Sequence, residues 1–291
     1  MKPLQAVRAL RIRDAAAASF LAMSVLAACP AVAADLGEVI EPAPAEPVVA
    51  NEWSVIVSPY VWAESLTGTG MLRDREVDVD ARFRDILKDL DIAFMGAVEI
   101  TNGTFGAFFN AEYADVGDND VLSLTFPSLG EVTFGARTTN TMVSGGFYYR
   151  VFSTELGGNT SFGTPRVLSV SPLVGLRWNR LHAELTAQTD GGLERDISAS
   201  EAWLDPFVGA RVDADLSPRW NLMLEADVGG FDIGSKVALN GQAYLGYRTH
   251  LFGRESLLRV GYRARYQDYS TGGFNWDVTQ HGPVVGASVK F

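Results

Sequence analysis

The chain has 291 residues, 47% of them hydrophobic, and its 24 Lys and Arg against 35 Asp and Glu give a formal net charge of -11. That acidic balance argues against nucleic-acid binding. No run of about eighteen apolar residues occurs, so no membrane-spanning helix is expected, and the period of the scattered apolar residues must separate a soluble domain from a β-barrel.

Residues 1–34 read as an export signal. Lys2, Arg8, Arg11 and Arg13 make a basic start, Ala15 to Ala28 an apolar stretch too short to span, and Ala31-Val32-Ala33-Ala34 a cleavage site. Cys29 is the only cysteine, so cleavage after Ala33 or Ala34 leaves no thiol. Leu26-Ala27-Ala28-Cys29 is also similar to a lipobox, which would instead leave Cys29 as a lipid-anchored N-terminus. Either route exports the protein. Residues 35–52, with Pro42, Pro44 and Pro47, read as a Pro/Ala-rich periplasmic linker.

From Trp53 to Phe291 apolar residues alternate with polar ones, the period of extended strands. Val55, Val57, Pro59 and Val61 oppose Ser54, Ser58 and Tyr60. Ile92, Phe94, Val98 and Ile100 oppose Glu99; Phe105, Phe109 and Tyr113 oppose Asn110 and Glu112; Val143, Phe147 and Tyr149 oppose Ser144 and Arg150. Leu168, Val174, Leu176 and Trp178 oppose Ser169, Arg177 and Asn179; Leu204, Val208 and Val212 oppose Asp205, Arg211 and Asp213; Leu222, Leu224 and Val228 oppose Glu225 and Asp227. Val237, Leu239 and Leu245 oppose Asn240, Gln242 and Arg248; Leu258, Val260 and Tyr262 oppose Arg259, Arg263 and Arg265; Val285, Val289 and Phe291 oppose Ser288 and Lys290. These make ten strands, an even count such as single-chain bacterial barrels have, with eight or twelve as alternatives.

Short links at 101–104, 215–218 and 250–254 alternate with longer polar segments near 66–90, 116–137, 182–200 and 270–280, as periplasmic turns alternate with outer loops. Two links break the rule: 151–165 is long and 231–235 is short. The strand-like run 121–134 would extend a hairpin beyond the membrane or raise the strand count to twelve. Trp53 and Trp220 fall at one set of strand ends and Trp62, Trp178 and Trp203 at the other, as interfacial girdles require. Pro59, Pro172 and Pro206 lie inside expected strands, where bulges or shorter strands are expected. The expected fold class is all-β, a closed antiparallel up-and-down transmembrane barrel over residues 53–291.

Particular segments add a resemblance. Ser58-Pro59-Tyr60-Val61-Trp62, Val77-Asp78-Val79-Asp80, Asp85-Ile86-Leu87 and the Met95–Tyr113 hairpin resemble a group of small, porin-like proteobacterial outer-membrane β-barrel proteins. Ala226-Asp227-Val228-Gly229-Gly230-Phe231, Gly261-Tyr262-Arg263 and His281-Gly282-Pro283 continue it. The terminal Phe291 is similar to the signal read by barrel-assembly machinery. The resemblance implies a Gram-negative outer-membrane location, with lipid and lipopolysaccharide as surroundings. It implies no activity, because that group has none established.

The candidate site is the non-lipid face, which gathers Glu99, Glu112, Asp205, Asp213, Glu225 and Asp227 against Arg150, Arg177, Arg211, Arg248, Arg259, Arg263 and Arg265. Isolated charges away from water are costly, so ion pairs filling a narrow lumen are expected. The alternative is an anion passage with Arg259, Arg263 and Arg265 as a ladder. A third reading is a surface hydrolase using His182 or His281, near Glu184, Ser270 or Asp277. Asp115, Asp118 and Asp120 are close enough for calcium but lack EF-hand spacing, so no metal and no cofactor are expected. Residues 80–91 read as a short helix with Phe83, Ile86, Leu87 and Leu90 on one face. The preferred expectation is a non-enzymatic barrel with a structural or narrow-passage role.

Overall fold

The computed structural model describes residues 52–72, 75–126, 130–189 and 194–291. The signal, lipobox and linker expectations lie outside these residues. The strands are β1 (Ser54–Trp62), β2 (Ser65–Leu72), β3 (Arg75–Ala81), β4 (Leu90–Thr101), β5 (Phe105–Phe126), β6 (Gly130–Tyr149) and β7 (Phe152–Asn159), followed by β8 (Pro165–Thr189), β9 (Glu194–Ala214), β10 (Trp220–Gly230), β11 (Val237–Leu251), β12 (Arg254–Thr271) and β13 (Phe274–Lys290). One helical turn, α1 (Phe83–Ile86), precedes β4.

Ten of these strands close a ring in the order β1-β4-β5-β6-β8-β9-β10-β11-β12-β13, all neighbours antiparallel. The seam is β1 against β13, from Ile56 opposite Lys290 to Trp62 opposite Val284. Phe291 finishes it, its N–H donating to the Val55 carbonyl at 2.8 Å and the Val55 N–H returning to Phe291 at 3.2 Å. Closure matters physically because it leaves no unpaired ladder groups within the ring.

One end of the ring has compact turns. At 101–105 the Asn102 side chain accepts from the backbone N–H of Thr104 and of Phe105, at 3.0 and 2.8 Å. At 251–254 Phe252 and Gly253 both have positive φ, the two-residue hairpin geometry that matches strand twist. The exception is the 151–165 link. Here β7 continues the path of β6 along β8 after a one-residue slip, from Tyr148 opposite Leu173 to Phe152 opposite Val170. The link is a hairpin extended past the ring, and every residue of β7 is exposed.

The other end is tall, and the expected polar loops there are mostly strand. The β5–β6 ladder runs to Phe126 opposite Gly130, β8–β9 to Gln188 opposite Glu194, and β12–β13 to Thr271 opposite Phe274. Residues 121–134 therefore extend a hairpin and add no ring strand. The 66–90 segment is also ordered: β2 follows β1 along β13 in unchanged register, β3 pairs onto β2, and α1 follows. The β10–β11 hairpin rises little at this end, its ladder stopping at Gly230 opposite Val237.

The prolines are accommodated differently from expectation. Pro59 opposite Gly96, Pro172 opposite Ala210 and Pro206 opposite Leu176 all sit in continuous register. Each gives up a donor without forming a bulge. The irregularities lie elsewhere, between Leu90 and Ile92, Asp118 and Leu122, and Glu155 and Asn159.

Candidate functional site

Alternation places opposite chemistries on the two faces of the ring. Phe94 is 64% exposed, Phe147 56%, Val174 53% and Val260 53%, whereas Asp205 is 0% exposed and Arg177 and Arg265 are 2%. Most apolar residues of the ring strands face outward, and most of the ionised ones face inward. In water such an outside would form an apolar patch far beyond what soluble monomers expose. Against hydrocarbon it loses nothing, and the closed ladder satisfies the backbone. The chain is therefore a membrane-type β-barrel, and its lumen is the candidate site.

Every charged residue expected on the non-lipid face lies on the inner side, and most form three tiers of contacts. The middle tier is a belt. Glu112 on β5 accepts from Arg263 Nη1, from Arg265 Nη2 at 2.7 Å, from Tyr60 Oη at 2.8 Å and from Asn110 Nδ2 at 3.1 Å. Arg263 Nε donates to Asn240 at 3.0 Å, Asn240 Nδ2 to Asp227 at 2.9 Å, and Arg177 Nη2 reaches both Asp227 oxygens at 2.9 Å. Tyr60, Glu112, Arg263, Asn240, Asp227 and Arg177 thus form one bonded chain across the lumen, drawn from six different strands. Trp62 roofs it, with Arg263 and Arg265 at 4.8 and 5.1 Å from its ring.

Above the belt, toward the tall end, Asp205 is held by neutral donors. They are Ser235 N at 2.6 Å, Ser235 Oγ at 2.9 Å, Asn179 Nδ2 at 3.2 Å and Trp203 Nε1 at 3.2 Å. This explains the short β10–β11 turn: the carboxylate draws it inward onto β9. Gly234 permits the approach, because a Cβ there would meet the Leu204 carbonyl at 2.4 Å. Trp203 stacks on Tyr269 with centroids 4.3 Å apart and planes 8° from parallel, and Leu181, Phe274 and Trp276 pack around the pair.

Below the belt, Arg211 bridges two carboxylates, Glu225 at 2.7 Å and Glu99 at 2.8 Å, with Tyr148 Oη also on Glu99 at 2.7 Å. Near the compact turns Arg248 pairs with Asp215, which also accepts from Asn221 at 3.2 Å. Between belt and turns remains a cavity of about 370 Å³. Arg150, Arg259 and Asp213 line it, and among the described residues none of their three side chains makes a hydrogen bond or ion pair.

The tryptophan girdle needs correction. Trp62 and Trp203 are 2% and 6% exposed and point into the lumen, so they fill it and do not mark an interface. Trp178 does face outward, as do Trp53 and Trp220 near the compact end. Both tall-end histidines also face outward. His281 Nδ1 shares a 2.8 Å hydrogen bond with Tyr262 Oη, and His182 lies beside Tyr113, Thr139, Thr141 and Arg180. Among the described residues neither bonds a carboxylate. No group of metal-ligating side chains occurs there either; Asp115 accepts from Thr139 Oγ1 at 3.2 Å, and the side chains of Asp118 and Asp120 lie outside the described set.

Sequence reasoning by charge missed the neutral partners: Tyr60, Asn110, Asn240 and Gln242 share the inward parity and complete the networks. Asp215 was hidden in a turn, where parity gives no signal.

The sequence matches no protein-family model and no curated protein. Among solved structures it is similar to Ail, the attachment invasion locus protein of Yersinia pestis, at 12% identity and TM-score 0.33, covering 82% of this chain and 98% of that one. It is also similar to the outer membrane protease OmpT of Escherichia coli, at 10% and 0.39, covering 83% and 97%. A third is the translocator domain of the autotransporter NalP from Neisseria meningitidis, at 12% and 0.29, covering 81% and 88%. At such values the fold rests on this chain's own strand pairing.

Proposed function

We propose that this is an outer-membrane β-barrel with a sealed lumen and a structural or narrow-passage role, without enzymatic activity. The observation that carries the reading is the bonded chain from Tyr60 to Arg177 across the lumen. Arg263 and Arg265 are both committed to Glu112, so they do not form the free ladder an anion channel needs. The compact-turn end faces the periplasm and the tall hairpins face outward, the usual asymmetry. Lipid and lipopolysaccharide surround the apolar band. Export through the segment 1–34 and insertion by barrel-assembly machinery belong to the same proposal.

The hydrolase alternative has less support, because the imidazole of His281 is engaged by Tyr262 and not by an orienting carboxylate. The test combines fractionation, gel mobility of boiled and unboiled protein, and planar-bilayer recording. Outer-membrane residence with heat-modifiable mobility and no single-channel steps is expected. Regular steps from the wild-type chain would overturn the sealed lumen, and a soluble protein without a mobility shift would overturn the membrane barrel. A hydrolytic activity lost in His182→Ala or His281→Ala would overturn the non-enzymatic assignment.

A further inference from the structure

The lumen below the belt differs in kind from the belt itself. Arg177, Arg211, Arg248, Arg263 and Arg265 each bind a carboxylate. Among the described residues Arg150 and Arg259 do not. Both line the 370 Å³ cavity, and both have a buried Nε without a partner. Two guanidiniums that each keep a buried Nε without an acceptor on one chamber mark a place where an acceptor is gained on binding. The chamber lining carries five guanidiniums and five carboxylates, so a multiply charged anion would unbalance it and a ligand with at most a single negative charge disturbs it least.

The remaining walls define the rest of the ligand. Ser144, Ser169 and Ser171 offer hydroxyls, while Phe108, Phe207 and Met223 supply an apolar side. The volume falls at the small end of ordinary ligand pockets, about 300–1,000 Å³. The belt and Trp62 seal the chamber above. It reaches the compact-turn end at Gly103 and Asn221.

We propose that the barrel binds a small organic monocarboxylate in this blind chamber, with its carboxylate on Arg150 and Arg259, loaded and released through the compact-turn end. The proposal rests on the sealed barrel above, because it makes the lumen a receptor pocket and not a conduit. Two features position the cations. Arg150 stands where β6 slips into β7, its N–H fixed by the Thr104 carbonyl at 2.7 Å. Arg259 lies opposite Gly246 and Gly286 on the neighbouring strands.

The test is calorimetric titration of the full chain, refolded in detergent, with benzoate, its neutral analogue benzamide, and inorganic phosphate. Saturable benzoate binding without benzamide binding is expected. Arg150→Gln and Arg259→Gln should each weaken it about tenfold or more, the scale of one charge-assisted hydrogen bond. Arg180→Gln, on the outer face, should leave it unchanged. Heat-modifiable mobility shows that each variant has folded, and neither change orphans a paired carboxylate. Equal binding of benzamide, binding of phosphate alone, no saturable binding, or indifference to both substitutions would each overturn the proposal. Its failure is distinct from that of the sealed barrel, which is read by conductance.

Discussion

Replacing Glu112 by Ala tests the belt directly. Among the described residues the carboxylate is the only ion-pair partner of both Arg263 and Arg265, which are 5% and 2% exposed, and it also accepts from Tyr60 and Asn110. Removing one member of a buried pair costs about 3–5 kcal/mol, mostly through the charge left behind. Arg263 borders the 370 Å³ chamber and can recruit water from it; Arg265 does not. The loss should therefore be about 3–5 kcal/mol, set chiefly by Arg265. It would be read as a lower denaturant midpoint at unchanged slope for the refolded barrel. The triple variant Glu112→Leu, Arg263→Leu, Arg265→Met removes the whole set and should recover most of the loss, since apolar replacement of a complete buried network is often neutral. A loss below about 1 kcal/mol for Glu112→Ala, or a triple variant as unstable as the single one, would refute the claim that the belt holds its charges by pairing.

Other changes probe the rest of the barrel. Leu176 faces outward from the middle of β8 and is 52% exposed, so Leu176→Arg should cost about 2–4 kcal/mol if that face lies in hydrocarbon, measured by unfolding in liposomes; no loss would place it in water. Gly234→Ala puts a Cβ 2.4 Å from the Leu204 carbonyl and 2.6 Å from Asp205 Oδ1. It should cost about 1–3 kcal/mol and make the β10–β11 turn more readily cleaved by added protease than in the wild type. Trp203→Ala should lose about 3–5 kcal/mol with the Tyr269 stack, whereas Trp203→Phe should lose only the bond to Asp205, about 1–2 kcal/mol, both checked by denaturant midpoint.

The barrel was legible wherever one strand face meets lipid and the other the lumen, because the contrast of solvents writes a period of two into the sequence. The ring strands from Phe94 to Val285 follow it. Beyond the membrane both faces meet water or other strands, and that contrast fades. Thr186, Gln188 and Glu194 thus read as loop yet continue the β8–β9 ladder. Short strand length hid the same thing at β2, which keeps the register of β1 across residues 63–64. The inward charges were legible by parity, but their partners were not. Parity says that Arg177 and Asp227 share a face, and only register around the ring brings them within 2.9 Å. Trp62 and Trp203 were misassigned because strand-end position alone does not say which face a side chain takes.

The lumen is filled in one half and hollow in the other for a reason written in residue size. Around and above the belt the inward positions carry Trp62, Trp203, Arg265, Gln267 and Tyr269, all at most 9% exposed. Lower down, the inward positions facing the chamber include Ser58, Ala97, Ser144, Ser169, Ser171 and Ser288. Strand number fixes the width of a closed barrel. At constant width, the change from large to small side chains is what leaves space. That change also explains the different treatment of charge. Where side chains fill the lumen, a guanidinium reaches a carboxylate on a strand across the ring, as Arg263 reaches Glu112. Where they are small, the walls stand too far back for every cation to be matched, and Arg150 and Arg259 remain for something else to bind.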